Sequence, residues 1–129
     1  MKILFLDDDL GRCSRMRMEC VGHNLTIVNT TKEAKKALNE NTFDLISLDH
    51  DLGGKQMTES NDESGYGVAR YIIDLPKETL PNIIVIHSMN PVGARNMLNL
   101  LADHNIKAYE IKYNSHAYWK IYSLEIELK

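Results

Sequence analysis

Phe43-Asp44-Leu45-Ile46-Ser47-Leu48-Asp49-His50-Asp51-Leu52-Gly53 is an apolar run that ends in acid, imidazole and acid before a glycine. Residues 43–48 are apolar apart from Asp44 and Ser47, which predicts a strand covered by helices on both faces. If extended geometry persists past Leu48, Asp49 and Asp51 project to one side of the sheet and His50 to the other. Two carboxylates and an imidazole at the end of a buried strand cost free energy unless a metal, a cation or hydrogen bonds compensate them. The stretch therefore marks both a fold element and a candidate site.

The same design opens the chain, where Ile3 to Leu6 runs into Asp7-Asp8-Asp9. Leu10 to Val21 follows as a helix with Leu10, Cys13, Met16 and Cys20 on one stripe and Arg12, Arg15, Arg17 and Glu19 on the wet face. Leu25 to Val28 reads as a second strand, and Thr30-Thr31-Lys32-Glu33 carries the capping signature of a helix that buries Ala34, Ala37 and Leu38. Lys32, Lys35 and Lys36 line the solvated face of that helix, with an anion patch as the alternative. Residues 54–64 are polar and read as a loop at the rim, either a lid or disordered. Gly65-Tyr66-Gly67 leads into a third helix with Val68, Tyr71, Ile72 and Leu75 inward, ended by Pro76. A fourth strand, residues 82–86, runs into His87-Ser88-Met89-Asn90-Pro91. Asn90-Pro91 is a strong start for a helix continued by Val92, Met97, Leu98 and Leu101. Residues 108–111 read as a fifth strand, and residues 118–128 as a last helix with Tyr118, Ile121, Tyr122 and Leu124 inward.

Strand and helix alternate five times without a sequence repeat, so the 129 residues predict one α/β domain with right-handed crossovers. The expected arrangement is flavodoxin-like: a five-stranded parallel sheet of order 2-1-3-4-5 with helices on both faces. The acidic triplet, Asp49-His50-Asp51 and His87-Ser88 then fall on the carboxyl edge of three neighbouring strands, where such sheets bind ligands. With 15 Lys and Arg against 18 Asp and Glu, nothing in the global charge favours duplex DNA. Cys13 and Cys20 read as small apolar residues in a reducing compartment, and the N-terminal apolar run is too short for a signal or membrane segment. The expected location is the cytoplasm.

Aspartates from adjacent strand tips make a hard-oxygen site suited to magnesium or manganese, and Asp7 or Asp8 together with Asp49 are the leading ligands. An imidazole ligand, His50 or His87, would tilt preference toward manganese, zinc or iron. His87 closes its strand, which suits a functional group, although a core histidine bonded to backbone is the competing reading. Ser88, Asn90 and the helix opening at Pro91 offer donors for phosphate, and Arg12 and Arg95 are candidate clamps. Metal, imidazole and anion donors at one edge suit a phosphoester.

These residues carry a resemblance. Asp7-Asp8, the strand-tip Asp49, Gly65 and Lys112 resemble the receiver domain of response regulators, in which the acid pair and tip aspartate bind magnesium and that aspartate accepts a phosphoryl group. His87-Ser88, Tyr113 after Lys112, and His50-Asp51 after the acceptor depart from that pattern. Together, Asp7-Asp8, Arg12, Leu48-Asp49-His50-Asp51-Leu52-Gly53 and His87-Ser88-Met89-Asn90-Pro91 resemble the cyclic-phosphate-processing receiver family, single-domain proteins of bacteria and phages. The resemblance implies a metal-dependent phosphoesterase that opens a cyclic phosphate, on an RNA end or a small cyclic nucleotide. Asp7, Asp8 and Asp49 would hold a divalent metal, magnesium or manganese. His87 would protonate the leaving alkoxide, His50 or Asp51 would orient water, and Arg12, Ser88 and Asn90 would bind substrate. The alternatives are a receiver phosphorylated on Asp49, or a non-catalytic module binding a nucleotide or a protein.

Overall fold

The computed structural model describes residues 1–123. Five parallel strands, β1 (Lys2–Leu6), β2 (Asn24–Val28), β3 (Leu45–Leu48), β4 (Ile83–Ile86) and β5 (Tyr109–Glu110), form one sheet in the order β2-β1-β3-β4-β5. The intervening helices are α1 (Leu10–Glu19), α2 (Thr31–Glu40), α3 (Gly65–Ile73), α4 (Pro91–Asp103) and α5 (His116–Lys120). The expected flavodoxin-like order is the observed one. Among the described residues no helix is long and apolar enough to cross a membrane.

The three central strands, β1, β3 and β4, are buried on both faces, and their side chains sort by the period of two. Leu4, Leu6, Ile46, Leu48, Ile84 and Ile86 pack with Ala34, Leu38, Val68, Ile72, Met97 and Leu101 beneath α2, α3 and α4. Ile3, Phe5, Leu45 and Val85 pack on the other face with Cys13, Met16, Cys20, Tyr118 and Tyr122, beneath α1 and α5. Both cysteines are buried and free. Capping follows the sequence: Glu33 N–H donates to Thr30 Oγ1 at 3.1 Å, and Gly93 N–H donates to Asn90 Oδ1 at 3.0 Å ahead of Pro91 at the first turn.

Three expectations change. Leu10 is exposed because it opens α1 at the sheet's carboxyl edge, above the layer that Cys13 and Met16 fill. Val92 is exposed for the same reason at the opening of α4, where Gly93 and Ala94 face inward instead. The last helix starts earlier, at His116, because Ser115 caps it, and it tightens into a 3₁₀ turn at Ile121–Ser123. Leu124 and the rest of the expected helix to residue 128 lie outside the described residues.

Register places the candidate site. Leu6 pairs with Leu48 and Leu48 with Ile86, so the next residues, Asp7, Asp49 and His87, stand abreast on three adjacent strands. Backbone bonds hold that level: Asp49 N–H donates to Leu6 O at 3.0 Å, and His87 N–H to Leu48 O at 2.9 Å. Behind it, α3 packs against the strand tip so tightly that a Cβ at Gly65 would lie 1.7 Å from the Asp49 carbonyl oxygen. Only glycine permits that approach.

Candidate functional site

Asp7 is fully buried and uses both carboxylate oxygens twice. Oδ1 accepts from Asp9 N–H at 2.9 Å and Arg12 Nη2 at 3.0 Å, while Oδ2 accepts from Arg12 Nε at 2.8 Å and His87 Nε2 at 2.9 Å. Burial alone would raise its pKa, but the bonds from His87 and Arg12 outweigh burial and hold it down to about 2. An ionised carboxylate only accepts, so the His87 proton sits on Nε2. The other ring nitrogen, Nδ1, lies 2.7 Å from Ser47 Oγ. Ser47 in turn lies 2.6 Å from Tyr118 Oη, which accepts from Tyr122 Oη at 2.6 Å. Burial pushes both phenols up, keeping them as donors. The result is one buried hydrogen-bonded chain through Tyr122, Tyr118, Ser47, His87 and Asp7, with Phe5 stacked on the His87 ring at 4.8 Å.

Asp49 has the opposite environment. Its Oδ1 accepts from His50 N–H at 2.9 Å, but Oδ2 is buried with no hydrogen-bond partner among the described residues and lies 3.6 Å from Arg12 Nη2. Burial raises its pKa to about 6; the Asp7 charge adds to the rise, while His87 and Arg12 oppose it. Asp8 accepts from Gly54 N–H at 2.6 Å and lines the same cleft as Asp49. Asp7, Asp49 and His87 offer ligand atoms within 4.8 Å of one another. Asp7 and His87 are already bonded to each other, which leaves Asp49 Oδ2 as the open oxygen of this group, with Asp8 in the wall of the same cleft. Carboxylate oxygens are the donors that magnesium and manganese take.

His50 and Asp51 form a second cluster. The period of two stops at Leu48: Asp51 turns toward the imidazole, so His50 Nδ1 meets Asp51 Oδ1 at 2.8 Å. Asp51 still lines the cleft with Asp49 while His50 lies beneath it, but the backbone bends once ladder pairing ends, so the Asp51 carboxylate also reaches the His50 ring. His50 is fully buried, and its Nε2 bonds Ser60 Oγ at 2.9 Å. Asp51 also accepts from Met57 N–H at 2.6 Å, Thr58 Oγ1 at 3.0 Å and Asn90 Nδ2 at 3.0 Å. Burial would raise its pKa, but the bonds from His50 and Asn90 dominate and lower it. Asn90 reaches Thr58 O as well, at 3.2 Å, and Asn96 Nδ2 reaches Ser60 Oγ at 2.8 Å. These groups tie residues 51–60 to the start of α4. Gly93 belongs to the same fit, since a Cβ there would come within 2.4 Å of the His50 ring.

The cleft above has a volume of about 560 Å³. Asp8, Arg12, Asp49, Asp51, His87 and Ser88 all touch it, so six of the residues singled out from sequence converge there. His50 and Asn90 do not line it and act beneath it. Ser88 Oγ accepts from Asn90 N–H at 3.0 Å. Arg95 is outside the lining and pairs loosely with Glu110, at 3.9 Å. Lys112 is exposed and makes no ion pair among the described residues; the cation nearest Asp49 comes instead from α1, as Arg12. Sequence reasoning missed Lys55, Met57 and Tyr113 in the cleft wall, Thr58 and Ser60 below it, and the roles of Ser47 and Tyr118. A polar Ser47 inside an otherwise apolar buried strand was the one available signal.

Comparison with known proteins agrees with this architecture. The solved structures similar to the chain include three that show the fold alone. A CheY-like response regulator receiver domain from Methanospirillum hungatei has 17% identity, TM-score 0.63, and coverage of 98% of this chain and 91% of that one. The receiver domain of HemR from Leptospira biflexa has 23% identity, TM-score 0.62, and coverage of 96% and 90%. A sensor protein from Polaromonas has 17% identity, TM-score 0.68, and coverage of 96% and 92%. No protein of curated function matches the chain. The family description of the cyclic-phosphate processing receiver domain matches residues 2–103, a span containing every residue of the acidic cleft except Tyr113. The chain belongs to that family, the cyclic-phosphate processing receiver domains.

Proposed function

We propose that the protein is a metal-dependent phosphoesterase that opens a cyclic phosphate with one water, giving a phosphomonoester. The observation that carries this reading is the buried, unpartnered Oδ2 of Asp49 at the floor of a cleft shared with Asp8 and Arg12. A lone buried carboxylate oxygen is costly, and a hard cation or a bound cationic group offsets that cost. Asp49 and Asp8 would hold magnesium or manganese. When bound, such an ion supplies positive charge to phosphoryl oxygens and lowers the pKa of a coordinated water.

The chain's own residues do the rest. Asp7 clamps Arg12 through two bonds, fixing a guanidinium beside Asp49, where it faces phosphoryl oxygens without reorganising. Ser88 contributes a hydroxyl at the cleft wall. His87 has both ring nitrogens engaged, so in this reading it acts through Asp7 as a positioning group. His50, Asp51 and Asn90 set the loop that closes the far wall.

The test is incubation with manganese or magnesium against 2′,3′- and 3′,5′-cyclic nucleotides and an oligonucleotide ending in a cyclic phosphate, read by mass spectrometry. Gain of one water, abolished by Asp49→Ala, supports the reading. Survival of every substrate with metal bound sinks it and leaves the binding-module alternative.

A further inference from the structure

Three of the large apolar side chains that stand exposed on this protein share one location. Leu10, Met57 and Met89 are 83%, 65% and 42% exposed, and all three line the acidic cleft. They come from the α1 opening, the loop after β3 and the β4–α4 turn, with Tyr113 added from the segment after β5. Four separate segments thus place apolar or aromatic groups at the mouth of a site whose floor is charged.

Two features set this collar apart from scattered surface hydrophobes. Met57 sits at φ 51°, a left-handed conformation that a methionine adopts at a steric cost, with its N–H donated to Asp51. The loop holds that strain while presenting an apolar side chain to the cleft. Tyr113 is braced edge-on by Trp119 at 4.9 Å and tilted against Tyr118 at 5.8 Å, with the Arg12 guanidinium 5.7 Å from its ring centroid. It is a fixed aromatic wall that shares Arg12 with the charged floor.

A bare cyclic phosphate needs only the floor. We infer that the collar of Leu10, Met57, Met89 and Tyr113 is a subsite for the base of a nucleotide whose phosphate sits at Asp49 and Arg12; this rests on the phosphoester reading above. A flat heteroaromatic ring suits the combination of polarisable thioethers and a braced phenol. Stacking of this kind accepts any base, since every base has a π-face.

The experiment uses the full chain labelled at the methionine ε-methyl carbons, with manganese replaced by diamagnetic magnesium for the spectra. Met18, exposed and outside the cleft, is the internal control. A 2′,3′-cyclic nucleotide is expected to shift the Met57 and Met89 methyls and leave Met18 unmoved, whereas glycerol 1,2-cyclic phosphate leaves all three in place. Binding of the nucleotide is expected to be at least tenfold tighter than that of the base-free compound, and the Met57→Ser/Met89→Ser double variant should erase that difference. Equal affinity for the two compounds overturns the subsite and spares the phosphoester reading. Methyl shifts without turnover spare the subsite and remove the hydrolase. Absence of binding by either compound removes both.

Discussion

Asp49 Oδ2 lies 3.6 Å from Arg12 Nη2 and has no hydrogen bond, while the same guanidinium grips Asp7 through two. The two carboxylates therefore respond to pH in opposite ways. The Asp49 pKa rises from an ordinary 3.8 to about 6, so between those values the folded chain binds more protons than the unfolded one. Stability from this group is lost as pH rises through that window, by up to about 3 kcal/mol. Asp49→Asn is expected to be more stable than the parent at pH 8, by roughly 1–3 kcal/mol, and close to it at pH 4. Urea unfolding at the two pH values checks this; an equal effect at both would remove the electrostatic explanation.

The same orphan oxygen gives a metal prediction with no activity in it. Magnesium or manganese at about 100 times its dissociation constant should stabilise the parent by about 2.7 kcal/mol. Thermal melts with and without the ion read this directly. Asp49→Asn should lose most of the shift, and Asp8→Asn part of it. Retention of the full shift in Asp49→Asn would place the ion elsewhere.

Ser47 connects His87 to Tyr118, with bonds of 2.7 and 2.6 Å. Ser47→Ala removes the partner of His87 Nδ1, while Tyr118 Oη keeps Tyr122 Oη and Met16 Sδ, at a cost of about 1–3 kcal/mol. The parent should show Nε2 protonated in ¹⁵N spectra, and the variant should shift the Nδ1 signal. An unchanged Nδ1 signal in Ser47→Ala would mean that Asp7 alone sets the ring.

Much of this was legible because strands buried on both faces have a strong signature, and because parallel pairing brings consecutive strand tips to one level. Asp7, Asp49 and His87 follow from that rule with no further knowledge. The bond between Asp51 and His50 does not, since it depends on where the ladder stops, and ladder ends are set by tertiary packing such as the close approach of α3 at Gly65. Saturation of Asp7 was equally hidden: Arg12 is on the wet face of α1 by periodicity, and only the closeness of α1's first turn to the β1 tip turns it inward. Thr58 and Ser60 carry no periodic signal, because loop residues are selected one hydrogen bond at a time.

Arg12 allows a final prediction, in which geometry and charge are separated. Lysine keeps the charge but has no planar fork, so Arg12→Lys retains at most one of the two bonds to Asp7. Asp7 has its pKa depressed to about 2, so it contributes stability above an ordinary 3.8 that is lost as pH falls toward 2. Weakening its partners raises the folded-state value and narrows that window. Arg12→Lys is therefore expected to unfold in acid at a pH roughly half a unit to one unit above the parent, and to lose about 1–2 kcal/mol at neutral pH. Circular dichroism followed from pH 7 to pH 1.5 measures the first, and urea unfolding the second. Coincident acid transitions would show that charge alone holds Asp7, with the bidentate geometry contributing nothing.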